Sequence, residues 1–365
     1  MEFIDLKSQQ RRIKSQIQER INTVLNHGQY IMGPEVAELE NCLEKYTGAK
    51  HCISNANGTD ALLLALMAIG IKPGDEIITT PFSFFATTEV ISFLGAVPVF
   101  VDIDSDTYNI DANLIEEKIT PKTKAIIPVS LYGQCADYDA IEAIAKKHNL
   151  ITIEDAAQSF GATYKDKKSC NLTAISCTSF FPSKPLGCYG DGGACFTNND
   201  EIAQKLRILR THGQAKRYYH AEIGMNGRLD TIQAAILLAK MEIFEDEIIQ
   251  RQKVAARYTE LLEGVVKTQA ILPYNRSAYA QYTIEVDDRT SFIQKMQEQG
   301  IPTAIHYPIP LHQQPVYSEQ YKNEFYPKSE LAASRVVSLP MHPYLDENDQ
   351  NRIIEAVKKP LLNKL

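Results

Sequence analysis

Lys184 stands in "FFPSKPLGCYGDGGA", residues 180–194, between Pro182 and Pro185 and among apolar neighbours. An amine attacks a carbonyl only when neutral, and desolvation in a pocket lowers a lysine pKa toward working pH. The flanking prolines keep the segment out of a helix, and Gly187, Gly190, Gly192 and Gly193 let backbone approach a ligand closely. The plainer reading is a surface lysine in a Gly-rich turn. No helical pattern follows these glycines directly, so their spacing does not read as a dinucleotide fingerprint.

Asp155, in "LITIEDAAQSFGA", follows four apolar residues of a predicted strand. Ligands bind at the carboxyl ends of strands in an open α/β sheet, and a carboxylate there is costly without a cationic partner. Its competing role, shared with Glu154, is to cap the next helix. Gln158 is three residues on and could reach the same site as a neutral donor. In "SNANGTDALLLAL", Gly58 and Thr59 stand where a loop enters a helix. Free N–H groups and the positive end of the helix dipole there suit a phosphate, with the Thr59 hydroxyl as a further donor. Alternatively Asn57 or Thr59 simply caps the helix. A phosphate cradle, a strand-end carboxylate and a carbonyl-seeking lysine are together what pyridoxal phosphate needs.

The elements that must position these groups alternate. "NGTDALLLALMAIG", "FATTEVISFLG", "ANLIEEKI" and "YDAIEAIAKKHNL" read as helices, while "DEIITTP", "AVPVFVDI", "KAIIPVSLY" and "LITIEDAA" read as strands. The alternation predicts right-handed crossovers and a mostly parallel sheet with helices on both faces. The strands are apolar without alternation, as strands buried on both faces should be. A long helical stretch over residues 230–262 bridges to a smaller α+β region containing "QYTIEVD", "RTSFIQKMQEQG", the Pro-rich "IHYPIPLHQQP" and a final helix. The expected division is a large domain over 1–245, with an N-terminal helical segment, and a small one over 246–365.

With 365 residues, 44% hydrophobic and 23% charged, the composition is that of an ordinary globular chain. The net charge of −7 gives no basic footprint for nucleic acid. No apolar run has the length of a signal peptide or membrane helix, so the expected location is the cytoplasm. Seven scattered cysteines without a C-x-x-C pair signal neither a disulfide framework nor a metal site, and are expected to be buried small hydrophobes.

The ordered motifs "NGTDAL", "PFSFFAT", "PVFVDID", "EDAAQSFGA", "SFFPSKPLG", "GDGG", "RTHG", "GMNGRLD" and "IHYPIPLH" resemble the sugar aminotransferases of the DegT/DnrJ/EryC1/StrS family over nearly the whole chain. The resemblance implies the fold type I architecture of aspartate aminotransferase, with pyridoxal phosphate as cofactor. It makes Lys184 the lysine that forms the Schiff base and later moves the proton of the 1,3-shift. It places Asp155 on the pyridinium nitrogen, Gln158 on the phenolic oxygen, Phe84 against the ring, and Gly58, Thr59 and Ser179 on the phosphate. It has Asn226 reach the phosphate of the partner subunit, which implies a homodimer with shared active sites. Pro185 departs from the Asn, His or Thr common at that position, so residue 185 receives no binding role.

The resemblance further implies glutamate as amino donor and a nucleotide-linked keto sugar as acceptor. The form "SFFPSKPLGCYGDGGA" looks most like the branch acting on UDP-linked 3-keto-N-acetylglucosaminuronic acid, for surface polysaccharide. Arg228 and His306 are then cationic candidates for the sugar carboxylate, with Tyr307 beside them. Their plainer readings are an ion pair for Arg228 and loop hydrogen bonding for His306 and His312. A dTDP- or UDP-linked keto-6-deoxy sugar is the alternative substrate, and a regulatory or carbohydrate-binding protein is the alternative of another class. Dehydratase relatives replace the Schiff-base lysine, and Lys184 argues against that activity.

Overall fold

In the computed structural model, which describes residues 1–362, the apolar runs form strands of one sheet, three of them inner and one, "AVPVFVDI", at its edge with alternating burial. In chain order its strands are β1 (His51–Asn55), β2 (Glu76–Thr79), β3 (Val97–Phe100), β4 (Thr123–Ile126), β5 (Ile151–Asp155), β6 (Ile175–Ser179) and β7 (Gly193–Thr197). Their spatial order is β1-β7-β6-β5-β4-β2-β3. From β6 to β3 every pair is parallel, and β7 runs antiparallel to both β6 and β1. The connection from β6 to β7 contains Lys184 and no helix, so it reverses direction instead of crossing over.

Helices cover both faces. On one lie α1 (Leu6–Arg12), α2 (Lys14–His27), α3 (Pro34–Thr47), α6 (Tyr138–His148) and the start of α8 (Thr231–Leu262). The core on this side includes Leu39, Ile141, Phe160, Phe196 and Phe244. On the other lie α4 (Gly58–Ala68), α5 (Ala86–Phe93) and α7 (Asp200–Leu209), where Ile53, Leu64, Ile77, Val90 and Leu206 pack. Each such fully buried side chain is worth about 1.5 to 3 kcal/mol. The two cores therefore clamp the sheet and hold its strand ends in fixed register.

The segment "ANLIEEKI" forms two single 3₁₀ turns, Ala112–Leu114 and Glu116–Lys118, and not a helix. So short a segment cannot offset helix nucleation, and the Asp111 side chain instead accepts from Asn113 N–H in a local turn.

A further core forms around Tyr258, Leu262, Ile284, Phe292, Val337, Ile353 and Val357. It lies among the end of α8, the antiparallel strands β8 (Lys267–Thr268), β9 (Tyr282–Glu285) and β10 (Val336–Leu339), and helices α9 (Arg289–Glu298) and α11 (Glu347–Leu362). Helix α10 (Pro327–Arg335) leads into β10. Residue 245 lies inside α8, which runs unbroken for 32 residues from the first core into this one. Among the described residues no helix is long and apolar enough to cross a membrane.

Candidate active site

Asp155 closes β5 and is 5% exposed. Its Oδ2 accepts from Thr87 Oγ1 at 2.8 Å, and its Oδ1 accepts from Ala157 N–H at 3.2 Å. Burial pushes the carboxyl pKa above the ordinary value, while these hydrogen bonds and the charge of Lys184 pull it back. Lys184 answers from the β6–β7 connection. Burial lowers its amine to about 8, against the pull of Asp155 in the other direction. Lys184 is half-buried beside Asp155, unlike a lysine on an open surface turn. The lowered pKa makes the neutral amine that attack on a carbonyl requires easier to reach.

A cradle forms where three strands end together. Gly193 pairs with Ser179 on one side and with Asn55 on the other. A Cβ on Gly193 would lie 2.5 Å from Asn57 O, and one on Gly58 would lie 2.7 Å from Ser179 Cβ. Only glycines allow the α4 N-terminus to seat this closely against β6 and β7. Asn57 caps α4, its side chain accepting from Asp60 N–H at 2.8 Å. The cap satisfies that one donor and leaves the N–H groups of Gly58 and Thr59 at the mouth of the helix, beside Ser179. Capping and anion binding thus coexist at this terminus.

The other glycines after Lys184 do something different from what the sequence suggests. A Cβ on Gly187 would meet Phe181 O and Pro182 O, each at 2.6 Å, and one on Gly192 would meet Cys188 Sγ and Leu229 Cδ1 at 3.1 Å. Gly190 faces Gln233. These three fold the connection tightly onto the protein's own chain, and only Gly193 belongs to the cradle. Pro185 is buried and shares a narrow cleft with Lys184, Asp5, Gln9, Arg251 and His342. The cleft lies between the N-terminal segment and the lysine turn.

Opposite Lys184 lies the Pro-rich loop. His306 Nδ1 is 2.8 Å from Ser338 Oγ, and burial together with the Lys184 charge drives its imidazole down to about 4. Both causes favour the neutral imidazole of His306 in the free protein. Tyr307 OH accepts from Gln158 Nε2 at 3.2 Å, and Gln158 Oε1 accepts from Tyr132 N–H at 2.8 Å. Tyr132 OH in turn donates to the His306 carbonyl. Phe84 is 54% exposed at the start of α5, its ring 6.0 Å from that of Tyr307. Asp155, Lys184, Gln158, His306 and Tyr307 thus come together, with Phe84 at the edge.

Asn226 and Arg228 lie elsewhere on the rim. Asn226 Oδ1 accepts from Arg228 Nε at 2.9 Å and Nη2 at 2.6 Å. Between them, Gly227 O accepts from Ala56 N–H at 3.0 Å, which sets the pair beside the start of α4. Sequence reasoning missed Thr87 and Tyr132. "PFSFFATT" carries hydroxyls enough to raise the first, but a partner 68 residues from Asp155 has no local signature.

These residues fit pyridoxal phosphate in kind: free N–H groups in a cradle that a Cβ would fill, a buried carboxylate, and an amine with lowered pKa. A model of the DegT/DnrJ/EryC1/StrS aminotransferase family matches residues 11–358. The chain is 60% identical over 347 residues to UDP-2-acetamido-2-deoxy-3-oxo-D-glucuronate aminotransferase of Pseudomonas aeruginosa, covering 95% of this chain and 96% of the relative. A crystal structure of a DegT/DnrJ/EryC1/StrS aminotransferase from Brucella abortus superimposes with a TM-score of 0.94 at 45% identity, covering 99% of each chain. NtdA of Bacillus subtilis, solved with bound cofactor PMP, gives 0.91 at 32% identity, over 99% of this chain and 83% of that one. Motif order, the strand-end site and these matches converge, and the chain belongs to the DegT/DnrJ/EryC1/StrS aminotransferase family.

Proposed function

We propose that the protein is a pyridoxal-phosphate-dependent aminotransferase that moves an amino group from glutamate to C3 of UDP-linked 2-acetamido-2-deoxy-3-keto-glucuronic acid. The observation that carries the reading is the meeting of Lys184, its amine lowered to about 8, with buried Asp155 beside a helix N-terminus whose first donors are free. The choice of sugar rests on the 60% identity to the Pseudomonas enzyme of that name. When bound, the cofactor supplies an aldehyde that captures amines and a ring that withdraws electrons from the attached carbon.

The chain's own groups then have definite tasks. Gly58 and Thr59 N–H, the Thr59 hydroxyl and Ser179 Oγ bind the phosphate. Asp155, held by Thr87, would favour a proton on the cofactor's ring nitrogen. Lys184 Nζ is the amine that would hold the cofactor's aldehyde and, when free, would be the base available to move a proton at the bound substrate. Gln158 and Phe84 orient the ring, while His306, as a neutral imidazole, and Tyr307 line the sugar side. In this reading exposed Asn226 and half-buried Arg228, on the rim, complete the site of a second copy in a homodimer. Arg228 then meets the sugar carboxylate, a pairing suited to a guanidinium.

The test is an absorbance scan of the purified protein. A visible band of lysine-held cofactor, absent from Lys184→Ala, is expected; no band, or one unchanged by the substitution, would sink the cofactor assignment. For the sugar, enzyme loaded with the amino form of the cofactor is mixed with UDP-linked uronic and 6-deoxy keto sugars. Return of the band with the 6-deoxy sugar alone would overturn the uronic acid assignment.

A further inference from the structure

Lys240, in the middle of α8, is 1% exposed, and burial lowers its ammonium to about 8. Among the described residues no carboxylate makes an ion pair with it. Its Nζ donates to Gly187 O at 2.5 Å and sits 4.4 Å from the centroid of the Tyr189 ring. Glu247, two turns along the same helix, acts on it only from a distance. A buried ammonium held by one carbonyl and one aromatic face is a poor way to stabilise a fold. An apolar side chain of similar volume usually does so equally well or better. Its value lies in what it holds.

What it holds is the turn that carries Lys184. Gly187 lies so close to Phe181 O and Pro182 O that no side chain fits there, and its carbonyl accepts from Lys240 Nζ. One turn pair earlier on α8, Gln233 Oε1 accepts from Tyr189 N–H at 2.9 Å. On the strand side, Lys184 N–H donates to Phe181 O at 2.9 Å and Cys188 N–H donates to Phe180 O at 2.8 Å. The turn is therefore suspended between β6 and α8. The α8 side rests on two polar side chains, Gln233 and Lys240, spaced seven residues apart on one helical face.

We propose that Lys240 is a positioning residue for the Lys184 amine: by fixing the Gly187 carbonyl to α8 it sets the turn from which Lys184 reaches the cofactor. The proposal rests on Lys184 being the lysine that holds the cofactor, which Lys184→Ala tests separately. Lys240→Met keeps the volume and removes the donor; Lys240→Arg restores a donor. In holoenzyme, Lys240→Met is expected to bind cofactor and to melt at the wild-type temperature or above. The pH midpoint of its lysine-linked absorbance band is expected to shift, and its single-turnover rate with glutamate to fall by about 10- to 100-fold, the scale of a small misplacement of a reacting group. Lys240→Arg should recover part of both. A Lys240→Met enzyme with the wild-type midpoint and rate overturns the proposal and leaves Lys240 as packing alone. Should that variant fail to fold, Gln233→Leu on the same turn decides: a shifted midpoint supports the suspended turn, and an unshifted one refutes it.

Discussion

Gly58 and Ser179 approach so closely that a Cβ on the glycine would lie 2.7 Å from the serine Cβ, a separation real side chains do not adopt. The helix N-terminus and the end of β6 are thus locked to one another through the absence of a side chain. Gly58→Ala must push Ser179 away from the phosphate seat at an overpacking cost of about 1 to 3 kcal/mol. Cofactor affinity, titrated by absorbance, is expected to fall by about 10- to 100-fold. Unchanged affinity would place the phosphate elsewhere.

Asp155 and Lys184 bias each other's protonation. Burial raises the carboxyl pKa, so the ionised form is penalised in the folded protein. That penalty is absent below the unfolded value near 3.8 and complete once pH exceeds the folded value. Asp155→Asn should therefore raise the melting temperature of cofactor-free protein at pH 7, with the gain shrinking toward pH 4. The same change removes the anion that lifts Lys184. The pH midpoint for cofactor capture should then move lower than in the parent. A midpoint that stays or rises would contradict the pairing.

His306 is a neutral group in this setting. Its folded pKa of about 4 lies below the ordinary 6.5, so its contribution to stability is complete above 6.5 and is lost as pH falls toward 4. In NMR spectra of cofactor-free protein with labelled histidine, the His306 ring resonances should hold steady between pH 8 and 6 and move only in more acid solution. Titration near 6.5 would show that neither burial nor Lys184 governs it.

Arg228 separates the two halves of the reaction. Arg228→Leu should slow the half-reaction with the carboxylated sugar by about 10-fold or more, the worth of a charge-assisted hydrogen bond, while the half-reaction with glutamate stays close to wild type. Equal loss in both halves would assign Arg228 to the fold or to the cofactor. Stopped-flow measurement of each half gives the answer.

Much of the site could be read from the chain because its chemistry stands at punctuation points. Asp155 ends an apolar strand, and Gly58 opens a helix whose apolar face is plain in "ALLLAL". Lys184, bracketed by prolines, cannot be a residue of a regular helix. Thr87 and Lys240 were not legible for the opposite reason. A threonine in a helix start and a lysine in a long helix are ordinary locally, and their importance comes from contacts 68 and 53 residues away. The electrostatic state of His306 was equally hidden, since it follows from burial and from a lysine distant in sequence.

Helix α8 begins beneath the lysine turn and ends in the core around Tyr258 and Leu262. At 1.5 Å per residue its 32 residues make a strut of about 48 Å. A strut without a break has no hinge. The connection through α8 thus ties the lysine turn and the C-terminal core to one continuous rod.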